Sequence, residues 1–293
     1  MSYRPLTTDP TLSENSDLNS PSEKAIKAYN NSGVATLTNK TIDNPIIQNY
    51  DGWIDADETW TYSSVDDPTG VITVPSDATT KYSFGMRISF VNGGNTIYGI
   101  VTAVTSTTIT FLHEIDPTDS QALYLMANSA ITVPRYSSQK APFGFPMEKT
   151  KWSIVVTDST SRSAGAYTAS TYVYDSSGNC EIDVPIGSFD LSFKSTVIGT
   201  LSAASNQINL NIALSTSNNS VSDEDLKVFD QDYLVGGNNV IIRGNFTATQ
   251  SKVVNLTAKD TYYIIAQMNA TGDDVSFRND LCPLVITAVC AYL

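Results

Sequence analysis

The chain carries one histidine, His113. A Ser-His-Asp or Cys-His arrangement would have to use it, yet no Gly-x-Ser-x-Gly elbow and no Cys/His signature accompanies it. At the end of a predicted strand it reads as a surface or barrel-rim residue. Paired carboxylates are the other route to chemistry, because glycoside cleavage needs two carboxyl groups about 5 to 10 Å apart. Asp55, Asp57 and Glu58 cluster in sequence, as do Asp116 and Asp119, Asp223 to Asp225, and Asp273 with Asp274. Each group sits in polar sequence that reads as exposed loop, where a solvated carboxylate is the ordinary state. These loops also have the ligand chemistry of a calcium site, but none completes an EF-hand pattern, and no metal is assigned. A P-loop and a Gly-x-Gly-x-x-Gly fingerprint are both missing, so no cofactor is expected. Cys180, Cys282 and Cys290 are odd in number and have no CxxC spacing. They read as small buried hydrophobes rather than a disulfide framework or zinc site. The expectation is a protein that is not an enzyme.

The elements that would position these residues are mainly β. Of 293 residues 41% are hydrophobic and only 16% charged, below the usual charged share of about a quarter. Thr, Ser and Asn fill the gap, which suits strands and turns. A net charge of -13 repels nucleic acid and anionic membrane surfaces, so neither is an expected partner. No apolar run approaches the roughly 20 residues of a membrane span. Residues 1 to 5 lack the apolar core of a signal peptide, which predicts synthesis in a cytoplasm.

Residues 51–133 read as a small β-barrel domain. Met86 to Val91 and Thr96 to Val104 alternate around Asn92-Gly-Gly-Asn95, a hairpin signature. Residues 134–149 hold three prolines and a glycine and read as a stiff linker. Residues 150–293 read as a second β-domain with strands near 152–157, 169–174, 189–193, 207–214, 240–247, 252–256, 261–266 and 284–293. Eight strands with long connections suit a jelly-roll sandwich. Residues 1–50 are different. Ser20, Pro21 and Glu23 make a capping box, Ala25, Ile26, Ala28 and Tyr29 supply apolar positions, and Gly33 is a natural stop. About three turns are marginal alone, so Ile26 and Tyr29 are expected to dock on a partner. A Thr/Asn-rich connector follows, from Ala35 to Ile47.

The segment Pro21-Ser-Glu-Lys-Ala-Ile-Lys-Ala-Tyr29 followed by Leu37-Thr-Asn-Lys-Thr-Ile-Asp-Asn-Pro45 resembles N-terminal segments of bacteriophage tail-fibre and appendage proteins. It covers about an eighth of the chain. Residues from Gly52 to Ser64 and from Thr80 to Ile88 resemble a recurring phage module, for which an SH3-like or OB-like barrel is expected. The final strand, Leu284 to Leu293, is apolar at nearly every position, with Thr287 the clear exception. It resembles the last strand of trimeric jelly rolls of the complement and tumour-necrosis-factor type and of phage fibre heads. The resemblance implies a homotrimer with Val289 and Ala291 at the contact, the N-terminal segment joining other virion proteins, and localisation in the virion. It also implies a head that attaches to a host surface, glycan included, through loops near Tyr233 to Asn239 and Met268 to Arg278. The alternatives are a capsid-decorating head fibre or cement protein, and a polysaccharide-degrading tail spike.

Overall fold

The chain divides into two units, Met1–Gln48 and Asn49–Leu293. The computed structural model describes residues 51–201, 208–232, 241–246, 251–268 and 272–293. The predicted helix with Ile26 and Tyr29, the 35–47 connector and the 233–239 loop lie outside the described residues.

The first seven strands are β1 (Ile54–Asp55), β2 (Thr61–Asp66), β3 (Thr69–Thr73), β4 (Arg87–Asn92), β5 (Asn95–Val104), β6 (Thr108–His113) and β7 (Ile131–Ser137). They form one antiparallel sheet in the order β1-β7-β4-β5-β6-β3-β2. The predicted hairpin is β4–β5, closed by Asn92 opposite Asn95. Gly93 and Gly94 both have positive φ, 59° and 84°, as a two-residue type I′ turn requires. Register shifts at Tyr62/Ser64, Ser89/Val91 and Val101/Ala103 curl the sheet, as bulges do. The sheet curls without closing into a full barrel. The edges β1 and β2 do not pair, because β1 is two residues long and the chain after it turns inward. Ala56 and Trp60 are buried, and the Trp60 ring lies 6.0 Å from Phe90 on β4. Side chains plug the opening that a strand ladder would have closed.

The second half contains β8 (Ser153–Asp158), β9 (Arg162–Tyr167), β10 (Tyr172–Tyr174), β11 (Glu181–Val184), β12 (Gly187–Leu201), β13 (Ile208–Ser215), β14 (Lys227–Asp232), β15 (Ile241–Phe246), β16 (Lys252–Leu256), β17 (Asp260–Met268), β18 (Gly272–Phe277) and β19 (Leu284–Cys290). Several are halves of one broken strand. The long β12 pairs on one side with β16 along Gly187 to Leu191 and with β15 along Ser195 to Thr200. On its other side it pairs with β19 and then β18. In turn β8 borders β19 and β9 borders β18. This sheet is therefore four strands wide: β8/β9, β18/β19, β12, β15/β16. The facing sheet runs β10/β11, β17, β13, β14. The eight composite strands thus lie in two four-stranded antiparallel sheets, with chain order first, eighth, third, sixth against second, seventh, fourth, fifth. That is the double-sheet jelly-roll arrangement.

Alternation explains the sandwich core. Phe189, Leu191 and Phe193 of β12, Leu284, Ile286 and Ala288 of β19, and Ile212, Leu214 and Ile264 of the facing sheet are all buried in one cluster. The same cluster takes in Ile100 and Leu112 from the first sheet and Trp53 and Ile115 from the segments beside it. The expected linker helps to join them. Its first residues belong to β7, with Pro134 at the bulge that the Ser89/Val91 shift marks, where a missing N–H costs no ladder bond. Further on, the Phe145 ring stacks on Trp152 at 5.0 Å, and Trp152 Nε1 donates to the Pro146 carbonyl at 2.7 Å.

Candidate functional site

The last strand was expected to need burial on both faces. Its inward residues Leu284, Ile286, Ala288 and Cys290 enter the sandwich core. Its outward residues Val285, Thr287 and Val289 line a depression of about 760 Å³ on the outer face of the sheet. The register fixes the neighbours. Asp190 lies opposite Val289, Ser192 opposite Thr287, and Lys194 opposite Val285. On the other side Ser153 lies opposite Val289 and Val155 opposite Thr287. Phe-Asp-Leu-Ser-Phe-Lys (189–194) therefore puts its apolar residues inward and Asp190, Ser192 and Lys194 outward, as a period of two demands.

Lys149 sits on the rim, on the 3-10 turn Lys149–Trp152 that leads into β8. Its carbonyl accepts from Ser153 Oγ at 2.8 Å. Pro117 from the first sheet's 114–122 loop forms part of the wall. That loop also covers the β8 edge: Ser120 Oγ donates to the Val155 carbonyl at 2.9 Å and accepts from the Val155 N–H at 3.0 Å. Of the two expected contact residues, Val289 is 9% exposed and faces the depression. Ala291 lies exposed beyond the strand end. It borders a separate hollow with Phe84, which is 59% exposed.

Beside that hollow a buried arginine ties the last residues to the first sheet. The Arg87 guanidinium donates to the carbonyls of Gly85 (2.6 Å), Lys140 (3.0 Å) and Tyr292 (3.1 Å). It lies 5.1 Å above the Phe145 ring.

The carboxylate groups resolve differently from one another. Asp55 pairs with Arg135 at 3.1 Å. Asp223 and Asp225 share Lys252 at 2.6 and 2.8 Å. Asp116 accepts from the Thr118 N–H within its own turn. The side chains of Asp273 and Asp274 are outside the described set. Glu58 is the exception to the exposed-loop expectation. It accepts from Trp60 Nε1 (3.2 Å), Ser76 Oγ (2.7 Å) and the Tyr82 hydroxyl, and faces Lys81 at 3.3 Å. Burial pushes its pKa up, but these donors and the Lys81 charge outweigh that and lower it. Among the described residues no three His, Cys, Asp or Glu side chains are grouped to hold a metal ion. No helix among them is long and apolar enough to cross a membrane. The cysteines are free, with Cys180 and Cys290 buried.

His113 is not at the surface. It is fully buried, with its ring 4.7 Å from Phe111. Room for it comes from Gly70, where a Cβ would stand 2.7 Å from His113 Nε2. Neither ring nitrogen makes a hydrogen bond of good geometry. Burial pushes its pKa down to about 4, against a smaller upward pull from the Tyr124 backbone. The folded protein therefore holds a neutral imidazole, while the unfolded chain takes up a proton below about pH 6.5. Stability from this residue is intact above pH 6.5 and is lost as pH falls towards 4. Urea unfolding should show His113→Phe losing about 2 kcal/mol less than the wild type between pH 7 and pH 5. Equal losses in both proteins would contradict the buried neutral histidine.

No family model matches the chain, and no curated protein matches it. Among solved structures it is similar to the VP2 subviral particle of infectious bursal disease virus, at 9% identity and a TM-score of 0.21, covering 80% of this chain and 78% of that one. It is also similar to the Gx strain structure of infectious bursal disease virus, at 11% identity and a TM-score of 0.21, covering 79% and 59%. At these scores neither likeness carries an argument about function.

Proposed function

We propose that the chain is a structural component of a virion surface, joined to the particle by residues 1–50 and presenting the jelly-roll sandwich outward. The observation that carries this reading is the strand order of the two sandwich sheets, an arrangement used by viral capsid and lectin domains. Fold alone does not give function, so the N-terminal resemblance to phage tail-fibre and appendage proteins supplies the second support. The role is attachment to a host surface rather than catalysis. Four of the carboxylates that could have cut polysaccharide are engaged: Asp55 with Arg135, Asp223 and Asp225 with Lys252, and Glu58 with four donors. Capsid decoration without a receptor is the second reading, which the same strand order supports.

The chain assembles as a homotrimer through the exposed end of β19, with Ala291 and Phe84 in the contact. Phe84 at 59% exposed is the kind of apolar residue that gains by burial, at roughly 25 cal/mol per Å². A threefold arrangement would bring three heads and three anchors together and raise avidity. Sedimentation equilibrium of the whole chain should return three times the chain mass, and a monomer at micromolar concentration would contradict it. The anchor is tested by deletion. A chain lacking residues 1–33 should stay folded and soluble but be absent from purified particles, and normal incorporation would overturn the assignment.

A further inference from the structure

We infer that the depression on the outer face of the jelly roll binds an acidic saccharide. Eight other basic side chains of the described residues each face a carboxylate at 4.0 Å or less. Arg87 and Lys140 donate to backbone carbonyls. Lys149 and Lys194 do neither, and both border this depression. Two unpaired ammonium groups sharing one concavity, in a chain of net charge -13, mark a place for an anion.

The rest of the surface says which kind. Asp190 also lines the depression, four residues before Lys194 on β12 and flanked by Val289 and Val253 across the sheet. Its Oδ1 is buried and accepts no hydrogen bond, a costly state for a carboxylate oxygen. A purely acidic occupant, such as a Glu-rich peptide, would meet that carboxylate with repulsion. A sugar acid offers both chemistries: hydroxyl groups to donate to Asp190, and a carboxylate or phosphate for the lysines. Ser192, Ser251 and Thr287 add hydroxyls, while Val155, Val285 and Val289 offer apolar surface for ring C–H groups. Asp190 and Lys194 are four residues apart on one strand, about 13 Å, the span of two to three sugar rings. The volume of about 760 Å³ falls within the usual range for small-ligand sites, about 300 to 1,000 Å³. A second copy of the same face would not fill it, because two concave surfaces leave a void between them.

This inference deepens the attachment reading, and it is tested apart from it: particle location does not depend on saccharide binding. The whole chain is probed on an array of uronate-, sialate- and phosphate-bearing oligosaccharides, with neutral oligosaccharides and tetraglutamate as controls. At least one acidic saccharide should bind, more weakly at 500 mM than at 50 mM salt, and should lose about tenfold or more in affinity in Lys149→Ala and in Lys194→Ala. Both substitutions are at solvent-accessible positions, and unchanged circular dichroism and thermal unfolding confirm that the variants fold. Asp190→Asn, which cannot accept a charge-assisted bond, should weaken the same saccharide while leaving its salt dependence intact. Binding of no acidic saccharide, binding indifferent to both lysine substitutions, or equal binding of tetraglutamate or of neutral saccharides would each overturn the assignment.

Discussion

Replacing Arg87 with alanine should cost about 3 to 5 kcal/mol of unfolding free energy. The guanidinium is fully buried and has no carboxylate partner, so its charge is offset by three carbonyl dipoles and the Phe145 face. Removal ends three charge-assisted hydrogen bonds to partly buried or exposed carbonyls, each worth about 1.5 to 3 kcal/mol at most and less where water can replace the donor, and leaves an empty space the size of a long side chain. Arg87→Lys should recover little, because one ammonium lacks the planar fork that reaches three acceptors. Arg87→Met should lie between alanine and wild type, since it restores volume without donors. Urea unfolding of the three variants ranks them. A cost under about 1 kcal/mol for alanine would show that the tie between first sheet and final residues carries little energy.

Glu58→Ala should cost about 3 kcal/mol, by leaving donors without their acceptor. Trp60 Nε1 would keep only its 3.3 Å contact to Tyr82, and Lys81 would lose its ion pair. The four donors converge from three separate stretches of chain, so the carboxylate pins the inturned 56–60 segment against the curled sheet. Glu58→Gln should recover part of the loss, because the amide keeps one acceptor oxygen. The pH dependence has a definite sign. The folded pKa of Glu58 is lowered, so its contribution is present above the ordinary glutamate pKa of about 4.3 and fades as pH falls through the folded value. The difference between wild type and Glu58→Ala should therefore shrink on acidification. A difference that grows below pH 4 would contradict the network.

How much of this was legible depended on how each strand is buried. Strands with one face in the core alternate, and β13, β16 and β17 stand out in the sequence for that reason. Polar strands do not. The Lys-Val-Phe-Asp-Gln-Asp of β14 is not among the predicted strands, and the Gly-Asp-Asp-Val-Ser-Phe of β18 falls in a stretch that reads as loop. They are strands because ladders with β13 and with β12 and β9 hold them, a tertiary effect that overrides weak local preference. Whether the small barrel closes was hidden for a related reason. Alternation shows which side chains face inward, but not whether two edges meet or a tryptophan fills the gap. His113 was misplaced because the glycine that makes room for it, Gly70, is distant in sequence. The depression was half visible. The outward trio Asp190, Ser192 and Lys194 could be read from the alternation of 189–194, but Lys149 joins them only through the β8-β19-β12 register.

Immunogold labelling of purified particles with an antibody against the jelly-roll unit tests the central claim most directly. Gold at a fixed, exposed position on the particle surface, lost from particles made with the chain deleted for residues 1–33, is the predicted result. Purified particles that carry no label while the infected cell contains the protein would contradict a virion role.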